Sequence, residues 1–221
     1  MKRIYLSLII CAISIMAFAQ SLDVNTHGTI NPKVWKAGET ATLSINRIPK
    51  TVAEFKQVQA KIGGTPEGAV MLQLLAMEMF NQNKQIGTEC IKLTNTETNQ
   101  PSVLRRLPEI FSKTDKSYAR LHLVATYFDG ATPQNGFNPK KPYTIKVRTR
   151  ANRQYERSEL LKGYVIYLEV LSSGYKSSPW RGIEVIKQKG NEYFTVSNCP
   201  SLYVQCMDVD FESDRDYEGL K

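Results

Sequence analysis

The sequence predicts an α+β domain in which an N-terminal helical half packs on a C-terminal antiparallel sheet. Three observations carry this prediction. Ten of the twelve residues from Ala69 to Phe80 are apolar and lie on all sides of the helix, as in a helix wrapped by other elements. Helical spacing of apolar residues runs through to about residue 129, and from Tyr143 onward it gives way to alternation. The later runs are joined by short connections, which suit antiparallel pairing because parallel strands need long crossovers. Helices first and strands after is the order of an α+β domain, with the sheet either flat or curved into a cone around a pocket.

Taken in order, Met1-Lys2-Arg3, the apolar segment Ile4 to Phe18 and Ala17-Phe18-Ala19 form a signal peptide over residues 1–19, with cleavage before Gln20. The chain is therefore expected to be exported, periplasmic or extracellular, with no transmembrane helix after cleavage. Cys11 follows Ile10 rather than a small residue, which disfavours a lipoprotein. Residues 20–50 read as an N-terminal extension with one strand, since 21–39 are polar and turn-rich and only Thr40 to Arg47 alternates. Residues 51–207 form the single α+β domain. Thr51-Val-Ala-Glu54 is a capping box, and Val52, Phe55, Val58 and Ile62 follow at helical spacing until Gly63-Gly64. Thr65 and Pro66 suit the N-cap and first position of the central helix, which is too short to cross a bilayer.

Cys90, Ile91 and Leu93 suggest a short helical turn after Gly87, and Val103, Leu104, Leu107 and Phe111 suggest another that Pro108 interrupts. Tyr118, Leu121, Val124, Ala125 and Phe128 predict a helix over about 117–129, stopped by Asp129-Gly130. Strands are expected around Tyr143–Val147, Tyr164–Leu171, Ile183–Val185 and Tyr193–Val196, with Lys189-Gly190-Asn191 as a hairpin turn. Residues 208–221 form an acidic tail, read as solvated and partly disordered.

The formal charge of +8 is unevenly placed, with a basic body ahead of the acidic tail. Eight basic residues fall between Lys140 and Lys162, with Tyr143 and Tyr155 among them, and a strand would set Lys146, Arg148 and Arg150 on one face. Lys146, Arg148, Arg150 and Tyr143 are the candidate ligand-binding residues, and a solvated sheet face is the plain alternative. The partner expected of such a face is an anionic glycan, a lipid headgroup or another envelope protein; an exported chain is not expected to meet nucleic acid. Cys199 and Cys206 either close a small loop as a disulfide or remain buried thiols. With His27 and His122 the only histidines and no C-x-x-C, no zinc site of standard spacing is present, and His122 reads as a boundary residue.

No G-x-S-x-G, H-E-x-x-H, P-loop or G-x-G-x-x-G occurs, so no catalytic residue, metal ligand or cofactor is assigned. Glu67 is read as opposing the dipole of the central helix, and Glu78 as pairing with a lysine or arginine. The Ala131-Thr-Pro-Gln-Asn-Gly-Phe137 loop, the Lys141-Pro-Tyr-Thr-Ile145 strand start, Ser172-Ser-Gly174, Arg181-Gly-Ile-Glu-Val185 and Tyr193-Phe194 together resemble a bacterial domain family of unknown function whose members include exported proteins. The resemblance runs from about Thr51 to Cys206. Ser177-Ser-Pro-Trp-Arg181 departs from the compact S-P-R-P run of that family. The resemblance implies one domain and adds no catalytic residue. The functional reading is a non-enzymatic binding or accessory domain of the cell envelope, against a hydrolase of envelope or dietary polymers with an unrecognised acid pair, or a structural module.

Overall fold

A computed structural model describes residues 21–111, 121–175, 178–204 and 206–207. The segment 1–19, read from the sequence as a signal peptide, and the acidic tail 208–221 lie outside these residues. Among the described residues, seven strands form one antiparallel sheet that does not close on itself. They are β1 (Val24–His27), β2 (Thr40–Ile45), β3 (Tyr143–Thr149), β4 (Glu156–Ser158), β5 (Gly163–Leu171), β6 (Trp180–Ile186) and β7 (Thr195–Asn198). Their order is β1-β2-β3-β5-β6-β7, with β4 also paired to β5. Four helices, α1 (Val52–Ile62), α2 (Pro66–Gln82), α3 (Lys84–Thr94) and α4 (Gln100–Ile110), lie between β2 and β3 in the chain.

Alternation explains which face the helices cover. Ala41, Leu43 and Ile45 of β2, Ile145 and Val147 of β3, and Ile166, Leu168 and Val170 of β5 are buried in one core with α2. Thr65 caps α2 by accepting from the Gly68 N–H, and Pro66 fills its first turn, so its start is fixed by chemistry rather than by packing. From Ala69 to Met77 every residue of α2 is buried, and the helix packs against five strands. Thr51 caps α1 by accepting from Glu54 N–H, and the Glu54 carboxylate meets Arg47 at 2.8 Å. That pair, with the Lys50 N–H, holds Glu54 down to about pKa 2.

The structure corrects the sequence reading in four places. Residues 21–50 carry two strands rather than one, and Leu22 and Ile30 are core residues, so this stretch is integral to the sheet. β1 escaped notice because an edge strand of Val-Asn-Thr-His has no apolar face. The sheet is consequently built from both sides of the helical segment, with β2 beside β3. α3 begins at Lys84, capped by Asn83, with Gly87 inside it. Pro108 sits within α4 and ends nothing before Ile110, because only the last turn loses a donor.

The fourth concerns the helix expected over 117–129, of which 117–120 lie outside the described residues. From 121 to 129 there is only a 3-10 turn, Ala125–Tyr127. Here the Thr126 hydroxyl meets the Leu123 carbonyl at 2.7 Å and Ser172 at 2.8 Å. The Asp129 N–H then donates to Thr144 O on β3, which turns the backbone out of helical geometry. Of the positions the spacing marked, Val124 and Phe128 are buried while Leu121 and Ala125 are only half-buried, and Leu123, which it did not mark, is in the core.

The Ala131–Phe137 loop is a small self-contained device. Thr132 and Asn135 exchange reciprocal side-chain to backbone bonds, Asn135 Nδ2 also donates to Gly130 O and Asn138 O, and Gly136 takes the left-handed conformation at φ 66°. The loop delivers Phe137 into the core, where it packs 6.4 Å from the His122 ring. Half-buried, His122 is held below its usual pKa by desolvation, as suits a boundary histidine.

Candidate functional site on the outer face of the sheet

The face of the sheet away from α2 is divided. Near the β4 end of β5, Val165, Tyr167 and Ile186 form a second small core with Leu161 packed on it, and the Arg153 guanidinium lies 3.7 Å over the Tyr167 ring.

Lys146 and Arg148 project from this outer side of β3, since their neighbours Ile145, Val147 and Thr149 are buried on the inner one. Lys146 is exposed and has no ion-pair partner among the described residues. Arg148 is held on both sides: its Nε and one terminal nitrogen each lie 2.8 Å from Glu169 Oε2, and its plane stacks 3.9 Å over Trp180. Arg150 follows the end of β3, its N–H bonded to Tyr167 O and its carbonyl to the Trp35 indole. Its side chain is 41 % exposed and only loosely paired, 3.8 Å from Glu169. Tyr143 does not join them. It lies on the inner side, packed on Phe128 at 5.3 Å, because the period that groups Lys146 with Arg148 separates Tyr143 from both.

The carboxylates of Glu169 and Glu184 face these arginines across the strand pairs, Glu184 lying 3.9 Å from Arg153. The outer face is therefore an interleaved set of guanidinium, aromatic and carboxylate groups rather than a plain basic strip. At its centre is a dent of about 200 Å³ over Gly182, walled by Arg150, Tyr167, Glu184, Asn198 and Ser201. The Ser201 wall is fixed by Arg181 Nε, which donates to the Ser201 carbonyl at 3.1 Å.

Nothing in the fold calls for a glycine at this point. Its φ is ordinary, and an added Cβ would meet nothing nearer than Ser201 Oγ at 3.6 Å, an easy contact. A glycine inside a strand weakens it by roughly 0.5–1 kcal/mol relative to alanine, and often marks where a ligand approaches the backbone. Sequence reasoning missed the dent. The isolated glycine in Arg181-Gly-Ile-Glu-Val185 was its one visible signal.

A second cleft of about 680 Å³ lies between α4 and the 3-10 turn Pro200–Tyr203, with Cys199 and Cys206 in its lining. Both cysteines are buried and no disulfide joins them in this structure, so the bridge considered from the sequence is not formed. Cys199 Sγ lies 2.8 Å from the Tyr203 hydroxyl, which accepts from Gln73 Nε2 at 3.3 Å. Gln73 in turn accepts from Thr94 and Asn95, and Asn95 accepts from Asn99. Burial raises the Cys199 thiol to about pKa 11, so at neutral pH it is a hydrogen-bonding group and not a thiolate nucleophile.

Of the two carboxylates of α2, Glu67 lies in the first turn as expected and Glu78 departs from its expected pairing. Glu78 accepts from Gln82, one turn along the same helix, at 2.8 Å and pairs with no lysine or arginine among the described residues. Glu67, in the first turn of α2, is fully buried, and neither oxygen has a partner at hydrogen-bonding geometry. Its own N–H, the Ile30 N–H and the Thr29 hydroxyl lean towards it, but desolvation dominates and raises its pKa. An acid whose folded pKa is raised contributes stability that is complete below its unfolded pKa and lost as pH rises through the folded value. Glu67→Gln removes that loss. Thermal melts from pH 4 upward are expected to show the variant more stable, by a margin that widens with pH; a margin independent of pH would contradict the assignment.

Among the described residues no group of three or more His, Cys, Asp and Glu side chains is placed to hold a metal ion, and no helix is long and apolar enough to cross a membrane. No curated protein and no solved structure matches the chain. Residues 47–210, about three quarters of its length, match the model of a domain of unknown function, DUF6935, and the chain belongs to that family.

Proposed function

We propose that this chain is an exported, non-enzymatic binding domain of the bacterial cell envelope, and that it takes one acidic sugar residue of a glycan in the dent over Gly182. The glycine carries this reading: it weakens a strand whose local geometry would accept a side chain, and the space it leaves is lined by polar groups. Export is supported by the N-terminal signal pattern of Met1 to Ala19. Arg150 supplies a planar fork for a carboxylate, and its weak pairing to Glu169 leaves that fork available. Glu184 argues for a sugar over a bare polyanion. A carboxylate in the wall repels every anionic group, so the sugar's own carboxylate belongs on Arg150, while Glu184 accepts hydrogen bonds from ring hydroxyls that bare sulfate and phosphate lack, in a space that Asn198 and Ser201 also line.

The test is titration calorimetry against uronic-acid oligosaccharides, sulfated oligosaccharides and vesicles of phosphate-bearing lipid, each at two salt concentrations. Uronic-acid ligands are expected to bind. Gly182→Leu should abolish that binding while leaving the melting temperature unchanged or higher. Arg150→Ala should weaken it about ten- to a hundredfold, the worth of a hydrogen bond to a charged group. Equal binding by wild type and Gly182→Leu would overturn the reading, and cleavage of the oligosaccharide during the titration would replace it with the hydrolase.

A further inference from the structure

A third cavity, larger than either of the others at about 820 Å³, opens at the β7 edge of the sheet. Its walls are the α3–α4 connection, the β6–β7 loop and the turn Leu160–Lys162, with Gln59 of α1 reaching into it. We infer that this groove is a second binding site, separate from the Gly182 dent, for a neutral oligosaccharide. The inference does not depend on the acidic-sugar reading.

The argument rests on how the amides of the groove are oriented. Gln59 is only 6 % exposed, and its Nε2 donates to Leu93 O at 3.1 Å. Gln100 Nε2 donates to both Lys92 O and Asn95 O at 3.1 Å, and Gln188 Nε2 donates to Leu161 O at 3.2 Å. An amide facing a backbone carbonyl must present its NH₂ to it, so each of these side chains turns its nitrogen towards the protein. Gln59 and Gln100 are left with oxygens that accept from no described residue. Among the described residues only the Glu67 oxygens are buried without a partner, so the oxygen of the nearly buried Gln59 opens to solvent, an acceptor held in place by the bond its nitrogen makes.

A complementary ligand therefore supplies many donors. Cations are disfavoured, because Lys92, Lys162 and Lys189 outnumber Glu97 and Glu192 along the lining. Neutral donors remain, and these are sugar hydroxyls or peptide N–H groups. An extended peptide would bind by adding a strand to β7, but that edge is occupied: Thr96 N–H already donates to Val196 O at 2.9 Å, within a parallel bridge from Asn95 to Val196. Hydroxyls need no strand edge. Tyr193 and Leu161 supply apolar surface for the C–H faces of a sugar ring, and Tyr193 is seated on the end of α1, where a Cβ on Gly63 would come within 2.9 Å of its ring.

The experiment is a chemical-shift titration of the isotope-labelled protein with a panel of neutral hexasaccharides of glucose, mannose, xylose and N-acetylglucosamine, and with an uncharged hexapeptide. At least one hexasaccharide is expected to shift amides of residues 92–100 and 188–195 and to leave residues 181–184 unmoved. Asn191 and Thr98 are exposed residues of the lining, and Asn191→Trp or Thr98→Trp should weaken that binding at least tenfold with an unchanged melting temperature. Gly182→Leu should leave it intact, which separates this site from the acidic-sugar site. Absence of shifts with every hexasaccharide, preferential binding of the hexapeptide, or binding indifferent to both tryptophan variants would each overturn the inference.

Discussion

Leu75→Ala is expected to destabilise the protein by about 2–5 kcal/mol, measured as a shift in the denaturant midpoint at constant slope. Leu75 has no exposed surface and lies midway along α2, within the run Ala69 to Met77 in which every residue is buried. Truncation removes its transfer free energy and leaves a cavity that cannot collapse, because α2 is pinned between α3 and the sheet along its length. A loss below 1 kcal/mol would mean that the central helix is not what organises the core.

Gly87→Ala tests the same core from the other side, and there two effects of opposite sign compete. Alanine is the better helix former by about 0.8–1 kcal/mol, so an exposed glycine in α3 would gain from the change. Gly87 is buried against α2. A Cβ built there would lie 2.1 Å from Phe80 Cα and 2.2 Å from Phe80 N, distances that no side-chain rotation relieves because the obstructing atoms are backbone. α3 would have to move off α2, at about 3 kcal/mol or more, the upper end of overpacking. The substitution should therefore destabilise strongly. A melting temperature at or above wild type would show that the two helices do not cross so closely.

Legibility in the sequence followed how local each signal was. Thr65-Pro66 and the Thr51–Glu54 box are complete within four residues, and both helix starts were found. The strands β3 and β5 were visible because alternation is a property of one strand. β1 has no alternation to see, and Leu121, Val124 and Phe128 kept a helical spacing in a segment whose backbone is set by Ser172 and Thr144. The site divided in the same way. That Lys146 and Arg148 share a face follows from the period of two, and the same rule places Tyr143 opposite them. That Glu169 stands against Arg148, or that Gln59, Gln100 and Gln188 meet around one groove, depends on strand register and helix packing between distant segments, which no local pattern encodes.

The placement of β2 beside β3 also bears on the order of events during synthesis. Thr40 pairs with Arg148 and Ile45 with Tyr143, partners about a hundred residues apart with all four helices between them. A nascent chain that has emerged only as far as α4 carries the β1–β2 hairpin and the helices but lacks the strand against which β2 is hydrogen-bonded. A lone two-stranded hairpin is marginal in water, so the N-terminal segment gains lasting order only once β3 arrives. Closing this pairing costs the chain the entropy of a loop of about a hundred residues before β2 gains its partner, so it slows folding relative to a domain of local contacts.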